Sequence, residues 1–359
     1  MRVLVTGSHG YIGSILAPEL ARAGHEETGL DTFFYEGCDF GESDPRVQTR
    51  RADIRDVDPR DLVGYDAVVH LAALSNDPVG DLNPAWTYEI NLDGTLRLAR
   101  ASKEAGVARF LFASSCSMYG ASETDELLDE EAPLKPLTAY AESKVRAEGG
   151  LLDLAGGGFA PVSMRNATVY GVSPRLRLDI VLNNLAAWAH TTGRIRLLSD
   201  GSSWRPLVHV RDLTRVTRAM LDAPADALSG QAFNVGSAEQ NYLVRDLATV
   251  LAEVTGCAVE FASDASSDPR SYRVDFSKLE RAFPELQLEW DARRGAVELV
   301  TAYREVGLSL GQFEGGHYAR LTRIKHLLDD GELTDSLRWR QQNTSGDLVA
   351  GAGGSALPD

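Results

Sequence analysis

The chain has 359 residues, of which 43% are hydrophobic and 25% are charged, and its formal net charge at pH 7 is −16. This is the composition of a globular protein with room for two domains, and its acidity argues against nucleic acid or an anionic membrane as the main partner. The three cysteines, Cys38, Cys116 and Cys257, have no paired spacing, so we expect a reducing, cytoplasmic location and neither disulfides nor a metal site.

The first predicted element is a strand that runs directly into a glycine-rich turn. An apolar run precedes Gly7, Gly10 and Gly13, and an apolar pattern of helical period follows at once. This strand–turn–helix context predicts a dinucleotide site, in which the glycines permit a tight turn, the approach of a pyrophosphate and close packing of the helix. The start of the helix, with Tyr11 and Ile12, offers N–H groups and a positive dipole end to the phosphates.

A second strand is predicted over 26–30 and ends at Asp31. An acidic residue about 20 positions beyond the glycine turn suits the ribose hydroxyls of adenosine and repels the extra phosphate of NADP, so the sequence favours NAD. The alternative is a solvated loop aspartate. A further strand end carries Asp53 and Ile54, which we expect to meet the adenine ring.

The next two predicted strands also end in small or hydroxyl-bearing residues. One strand, over 65–71, leads into Leu71, Ala72 and Ala73, and the other, over 109–113, opens into residues 114–120. A long helix predicted over 83–104 separates them and carries Asn91, which by itself is typical of a helix surface.

This alternation of strands and helices predicts an α/β fold with a Rossmann-type, doubly wound parallel sheet. Ligands of such sheets bind beyond the carboxyl ends of the strands. The candidate residues at those ends are Gly7, Asp31, Ala72 and Ser115.

Beyond residue 165 the alternation weakens, which indicates a smaller, mixed α/β domain for the substrate. We predict an NAD-binding domain over 1–165, with 206–237 returning to it, and a substrate-binding domain over 166–205 and 238–342. The basic and aromatic residues of 311–340 are expected to cap the substrate domain or to contact a partner subunit. The final stretch, 343–359, is rich in Gly, Ala and Ser and is predicted to be disordered.

The candidate chemistry comes from a tyrosine and a lysine on one helix. Tyr140 and Lys144 are one turn apart, so their side chains share a face. A nearby ammonium favours the phenolate and lowers the pKa of a tyrosine from its ordinary value of about 10. A hydroxyl from a neighbouring strand end, Ser115, completes a set that moves a proton while a nicotinamide takes or gives a hydride. On its own, a Tyr–Lys pair of this spacing usually lies on the protein surface and has no catalytic role.

The motifs together resemble the extended short-chain dehydrogenase/reductase family, in the branch of NAD-dependent nucleotide-sugar epimerases and dehydratases. The resemblance rests on the following stretches: the glycine turn, 70–73, Asn91, 114–120, 140–144, 165–171, 205–212 and 272–278. It implies NAD as cofactor, with contacts from the strand-end residues and Asn91, a UDP- or dTDP-hexose as substrate, and a homodimer. It also implies Tyr140 as acid/base, Lys144 as the modulator of its pKa and a ribose contact, and Ser115 as the group that holds the sugar oxygen.

The resemblance also implies where the substrate binds. Asn166 would touch the sugar nucleotide, while Arg205 and one of Arg270 or Arg273 would neutralise its pyrophosphate. The further candidates for the substrate pocket are Ser75, Ser115, Cys116 and Ser117.

The residues after Ser115 favour one branch of the family. The dehydratases carry Asp-Glu after this hydroxyl, and the UDP-glucuronate decarboxylases carry a glutamate two residues beyond it, whereas this chain has Cys116 and Ser117. A hydroxyl at position 117 resembles the 4-epimerases, such as those acting on UDP-glucose. Reduction of a 4-ketosugar and binding of NAD without turnover remain the alternatives. For Cys116, packing or lining of the substrate pocket is favoured over nucleophilic chemistry, because no base is adjacent in the sequence.

Overall fold

The computed structural model describes residues 1–41, 47–75, 77–122, 126–266, 270–315, 317–340 and 348–350. In chain order its strands are β1 (Arg2–Thr6), β2 (Glu26–Asp31), β3 (Gln48–Arg51), β4 (Ala67–His70), β5 (Arg109–Ser115), β6 (Leu127–Leu128), β7 (Ala160–Asn166), β8 (Thr168–Tyr170), β9 (Arg194–Ser199), β10 (Trp204–His209), β11 (Gln231–Val235), β12 (Asn241–Leu243), β13 (Ala258–Ser266), β14 (Arg273–Val274) and β15 (Leu348–Ala350). Its helices are α1 (Gly13–Arg22), α2 (Asp77–Leu82), α3 (Pro84–Thr87), α4 (Thr95–Glu104), α5 (Ala139–Leu154), α6 (Val181–Thr192), α7 (Val210–Asp222), α8 (Ala225–Leu228), α9 (Val244–Thr255), α10 (Ser277–Ala282), α11 (Ala292–Val306), α12 (Leu310–Glu314) and α13 (Arg320–Asp329).

The first domain is centred on one large sheet with the strand order β11-β7-β5-β4-β1-β2-β3-β15. Seven of these strands pair in parallel, and only β15 runs antiparallel, against β3. The chain passes from β1 through β2 to β3 on one side and then returns to β4 on the other side of β1. This reversal creates a switch point at the carboxyl ends of β1 and β4, where doubly wound sheets bind ligands. The predicted fold class is confirmed.

The second domain is smaller and combines short sheets with helices. β8, β10 and β12 form one sheet, β9 pairs with β13, and α6, α9 and α11 pack around a core that contains Leu182, Leu247 and Leu299. The predicted return of 206–237 to the first domain is made by β11, which pairs with β7, and by α7, which packs on α1. The strand predicted near residue 206 is β10, and it stays in the second domain because it pairs with β8 and β12.

The helical region predicted over 83–104 is interrupted in its middle. α3 and α4 are joined by a π-helical segment, Tyr88–Gly94, which contains Asn91. Such segments are rare and are frequent at functional sites. Here the wider turn holds Asn91 fully buried, which differs from the helix-surface position typical of a lone asparagine.

The stretch 311–340, which was expected to cap the second domain or to contact a partner subunit, divides between the two domains. Phe313 and Tyr318 join the core of the second domain, whereas α13 and the residues after it pack on the first. Ile324, Leu327, Leu333 and Leu337 lie in one hydrophobic core with residues of the first domain such as Ile54. Of the predicted disordered tail, 343–359, only β15 belongs to the described residues; the remainder lies outside them. Within the described ranges no helix combines the length and hydropathy of a membrane span.

Candidate active site

The glycine turn is as tight as the sequence predicts. Gly7 has a φ of +73°, and a Cβ on it would lie 2.7 Å from the backbone nitrogen of Ala72. A Cβ on Gly13 would lie 2.2 Å from the carbonyl oxygen of Gly7. Gly10 donates its N–H to the same oxygen at 2.9 Å and closes the turn just before α1 begins. The turn thus tolerates no side chain at Gly7 or Gly13, and it brings the start of α1 to the carboxyl end of β1.

Asp31 ties this turn to the loop that follows β2. Its carboxylate accepts N–H groups from His9 at 3.0 Å and from Phe33 at 2.7 Å. The rings of His9 and Phe33 stand 4.3 Å apart, and Phe33 has a φ of +60°, an unusual conformation for a bulky residue. Strained residues of this kind cluster at binding sites, and all three residues line one large cavity.

Two other predicted cofactor contacts have side chains engaged within the protein. The phenol of Tyr11 is buried in the core of the second domain and donates to the carbonyl oxygen of Gly171 at 2.6 Å. The carboxylate of Asp53 is held by the guanidinium of Arg55, with a shortest distance of 2.6 Å. Tyr11 and Asp53 both still line the cavity, as does Ile54. The polar groups of Tyr11 and Asp53 therefore bond to other parts of the protein at the edge of the cavity. Tyr11 also links the two domains.

Asn91 acts on the loop after β4 rather than on the cavity itself. Its amide accepts the N–H of Leu74 at 2.8 Å and donates to the carbonyl of Leu74 at 2.9 Å. Asn91 is absent from the residues that line the cavity, whereas Leu71, Ala72, Ala73 and Ser75 do line it. The buried amide thus fixes the backbone that carries these small residues.

The proposed catalytic side chains converge at the carboxyl end of β5. The Tyr140 phenol forms a hydrogen bond with the Ser115 hydroxyl, which in turn donates to Ser117 at 2.9 Å. Lys144 lies one turn along α5, is 3% exposed, and donates from Nζ to the carbonyl oxygen of Ala113 at 2.6 Å. Thr138 caps α5 by accepting the N–H of Ala141 at 3.2 Å, so the helix begins just before Tyr140.

The electrostatics of this pair differ from the sequence-based expectation. Burial raises the pKa of Tyr140 above its ordinary value, although the hydrogen bond with Ser115 acts in the opposite direction. Burial also lowers the pKa of Lys144 to about 7. The Nζ atom lies 5.6 Å from the centre of the Tyr140 ring, close to the ring face but bonded to a backbone carbonyl. In this state the loss of solvent outweighs the contacts with Ser115 and Arg177 that favour a phenolate.

Cys116 and Ser117 were predicted to contact the substrate, and neither lines the cavity. Cys116 is 1% exposed and donates from Sγ to the carbonyl oxygen of Arg165 at 3.0 Å. Burial also raises the pKa of its thiol, so Cys116 packs in the core of the first domain. The turn after β5 directs Cys116 inward, while Ser117 adjoins Ser115.

The predicted substrate residues separate into two groups. Asn166, Arg205 and Arg270 line the cavity, and Arg270 also pairs with Asp77 at 2.9 Å. Arg273 does not line it, because its guanidinium lies over the Trp204 ring, 4.7 Å from the centre. Of the two arginines that the sequence left open, the structure therefore brings Arg270 to the cavity.

Three cavity arginines, Arg177, Arg196 and Arg320, were missed by the sequence analysis. Arg177 donates to the Ser75 hydroxyl at 3.0 Å and pairs with Asp179, with a shortest distance of 2.6 Å. Arg320 reaches the same cavity from the start of α13. The closely spaced charges of 175–179 were a usable signal for Arg177. For Arg320 no local signal existed, since its position depends on where the C-terminal residues pack.

The cavity fits an extended dinucleotide beside a second ligand. Its volume is about 1080 Å³, and it runs from the glycine turn past Tyr140 to Arg205. Three buried polar atoms at its wall, Asp77 Oδ1, Ser114 Oγ and Asn166 Oδ1, have no hydrogen-bond partner among the residues that the structure describes. Buried polar atoms are almost always paired, so partners from a ligand are expected here.

Comparison with known proteins gives a consistent result. Residues 3–236 match the model of the NAD dependent epimerase/dehydratase family. The UDP-glucose 4-epimerase of Mycolicibacterium smegmatis is 32% identical over 291 residues, which are 77% of this chain and 90% of that protein. The dTDP-glucose 4,6-dehydratase of Streptomyces griseus is 30% identical over 294 residues, or 78% and 87% of the two chains. The solved structure of MoeE5 in complex with UDP-glucose and NAD has a TM-score of 0.73 and 27% identity, and covers 85% of this chain and 99% of that one.

Proposed function

The chain belongs to the NAD-dependent epimerase/dehydratase family, and we propose that it is a nucleoside-diphosphate-sugar 4-epimerase that oxidises C4 transiently and returns the hydride to it. NAD, when bound, supplies the hydride acceptor and donor. The residues that would hold it are the glycine turn, Asp31 for the adenosine ribose, the loop at Ala72, and Lys144 for the nicotinamide ribose. The steric closure of the turn around Gly7 and Gly13 supports this assignment.

The proton transfers would be performed by Tyr140 and Ser115. Ser115 holds the oxygen on C4, and the Tyr140 phenolate takes its proton while the C4–H bond is broken as hydride. The resulting 4-ketosugar rotates within the site, so that the opposite face of C4 receives the returning hydride. Tyr140 then returns the proton to the same oxygen as the C4–H bond re-forms, so no atom is gained or lost. The hydrogen bond between Ser115 and Tyr140 is the observation that carries this mechanism.

The surroundings of Tyr140 support epimerisation over elimination or decarboxylation. Elimination of water needs an additional acid and base next to the sugar. Asp77 and Asp179 line the cavity, but Asp77 is paired with Arg270 at 2.9 Å and Asp179 with Arg177 at 2.6 Å. Carboxylates engaged with guanidinium groups are poor proton acceptors. The inward position of Cys116 also leaves no carboxylate substitute after Ser115.

The pyrophosphate of the substrate is assigned to Arg205 and Arg270. Both line the cavity, and guanidinium groups suit phosphate oxygens because they donate in a planar fork. This local positive charge lets a chain of net charge −16 bind an anionic substrate. A UDP- or dTDP-hexose, a homodimer and a cytoplasmic location remain predictions from the sequence.

The main alternative is a 4-ketosugar reductase, which needs the same three side chains but consumes a reduced cofactor. We would incubate the protein with UDP-glucose and with dTDP-glucose, without added cofactor, and separate the products by chromatography with mass detection. An epimerase gives a new sugar nucleotide of unchanged mass, and denaturation of the purified protein releases NAD. Loss of water or of carbon dioxide would refute the proposal. A requirement for added NADH or NADPH would establish the reductase instead.

A further inference from the structure

Residues 317–340, which we call the C-terminal strap, pack mainly on the first domain next to the cofactor cavity, while Tyr318 near their start joins the core of the second domain. α13 buries Ile324 and Leu327 completely, and Leu333 and Leu337 are at most 1% exposed. These side chains join the core that also contains Ile54, next to the predicted adenine contact Asp53. The strap is therefore held by burial of apolar surface rather than by a few surface contacts.

The second half of the strap is bonded to the turn that is predicted to meet the adenine. Arg55 donates to the carbonyl oxygens of Ser336 at 2.8 Å and Leu337 at 2.9 Å. The same guanidinium holds the carboxylate of Asp53. Because Arg55 is 8% exposed, breaking these bonds would leave two of its buried donors unpaired, although Asp53 would still balance its charge. The turn at Asp53 and the strap are thus linked through one buried guanidinium.

Two tryptophans join the strap to other segments of the first domain. Trp339 donates from its indole to the carbonyl oxygen of Thr32 at 2.7 Å, directly after Asp31. Trp86 on α3 donates to the carbonyl oxygen of Asp335 at 2.6 Å. The strap consequently spans from the loop after β2 to α3, along the face on which the adenosine half of a dinucleotide would lie.

Arg320 stands at the cavity end of the strap without a carboxylate partner. Its guanidinium lies 3.7 Å from the centre of the Tyr35 ring, and it donates weakly to the carbonyl oxygen of Arg175 at 3.4 Å. Among the residues that the structure describes, no acidic side chain forms an ion pair with it, whereas Arg177 in the same cavity is paired with Asp179. Burial lowers the pKa of Arg320, so an anionic ligand would relieve the cost of holding its charge there.

We propose that Arg320 binds the pyrophosphate of NAD and that the C-terminal strap thereby retains the cofactor through successive turnovers. This inference rests on the NAD-dependent function proposed above. NAD is favoured over the substrate because Arg320 stacks on Tyr35, in the loop that follows Asp31, while Arg205 and Arg270 approach from the second domain. An enzyme that returns its hydride to the same sugar has no need to release its cofactor.

The test compares Arg320→Gln with Lys325→Gln, which removes one positive charge from an exposed position of the same helix. NAD is allowed to dissociate from each holo-protein under dilution, and its release is followed by mass detection. We expect release from Arg320→Gln to be about tenfold faster or more, as for loss of a charged hydrogen bond, and release from Lys325→Gln to be unchanged. Binding of UDP to the NAD-loaded protein, measured by calorimetry, should be equal in both.

The outcomes separate this inference from the proposed function. Equal NAD release from both variants, or weaker UDP binding by Arg320→Gln instead, would refute the role of Arg320 alone. Faster NAD release together with a wild-type protein that does not epimerise would refute only the proposed function. Absence of NAD binding by the wild type would overturn both.

A second measurement on the wild type does not depend on a variant. Hydrogen exchange is recorded with and without NAD, and we expect added protection of the amides in 317–340 and 32–36. Protection confined to the glycine turn would refute retention by the strap.

Discussion

The unusual protonation of Lys144 gives a quantitative prediction for stability. The lysine has an ordinary pKa of 10.5, which burial lowers to about 7 in the folded protein. Between these values the unfolded chain binds one more proton than the native chain, so stability rises with pH over this window. The destabilisation is greatest below pH 7 and is lost as the pH approaches 10.5. Each pH unit within the window corresponds to about 1.4 kcal/mol.

We would remove this titration with Lys144→Met, which keeps a long unbranched side chain. Urea unfolding of the NAD-free proteins, followed by tryptophan fluorescence, gives the free energy of unfolding at several pH values. From about pH 7.5 to about pH 9.5 the wild type should gain about 2.5 kcal/mol relative to the variant. The lost hydrogen bond to Ala113 shifts the variant by a constant amount and leaves this slope intact. Parallel pH profiles for the two proteins would refute a lowered lysine pKa.

Three further substitutions test the site and its scaffold. Tyr140→Phe should lower kcat by about a thousandfold, because it removes the proton carrier, while the NAD content of the purified protein stays the same; retained activity would remove the mechanism. Arg205→Ala should raise the substrate KM about tenfold or more without affecting NAD affinity, and Arg273→Ala, which loses a stacking contact on a tryptophan, should raise it far less; the reverse order would show that the pyrophosphate lies elsewhere. Gly13→Ala should lower the free energy of unfolding by about 3 kcal/mol because its Cβ would meet the Gly7 carbonyl. In contrast, Gly149→Ala at an exposed helical position should raise the free energy of unfolding by up to about 1 kcal/mol. If urea unfolding gave changes of the same sign for both variants, the tight turn would be contradicted.

Several of the candidate cofactor residues line one cavity because their positions depend on local geometry that the sequence reveals. Gly7 and Asp31 lie at strand ends whose positions follow from the alternation of strands and helices. Tyr140 and Lys144 are related by one helical turn, so their shared face can be read without knowledge of the rest of the fold. The chemistry expected of these residues depends on spacing over a few positions, and the folded chain preserves that spacing.

The remaining features depend on contacts between distant segments. Cys116 follows Ser115 directly, yet the short turn after β5 directs its thiol to the Arg165 carbonyl and away from the cavity. Asn91 becomes a support for Leu74 only because a π-helical segment turns it inward. Arg320 reaches the cavity because Ile324 and Leu327, further along α13, are buried in the core of the first domain. No pattern within these segments specifies such partners.

Tyr140 and Lys144, the proposed catalytic pair, have pKa values that burial shifts away from their ordinary values. Burial raises the pKa of Tyr140 and lowers that of Lys144, so both changes favour the neutral forms. A neutral phenol does not accept a proton, and a lysine that titrates near pH 7 gives only part of its charge to the site. Within the protein the charged forms are favoured by Ser115 and Arg177 at Tyr140 and by Glu148 at Lys144, and burial outweighs these contacts. We therefore expect the pKa values of both groups to change when cofactor and substrate bind beside them.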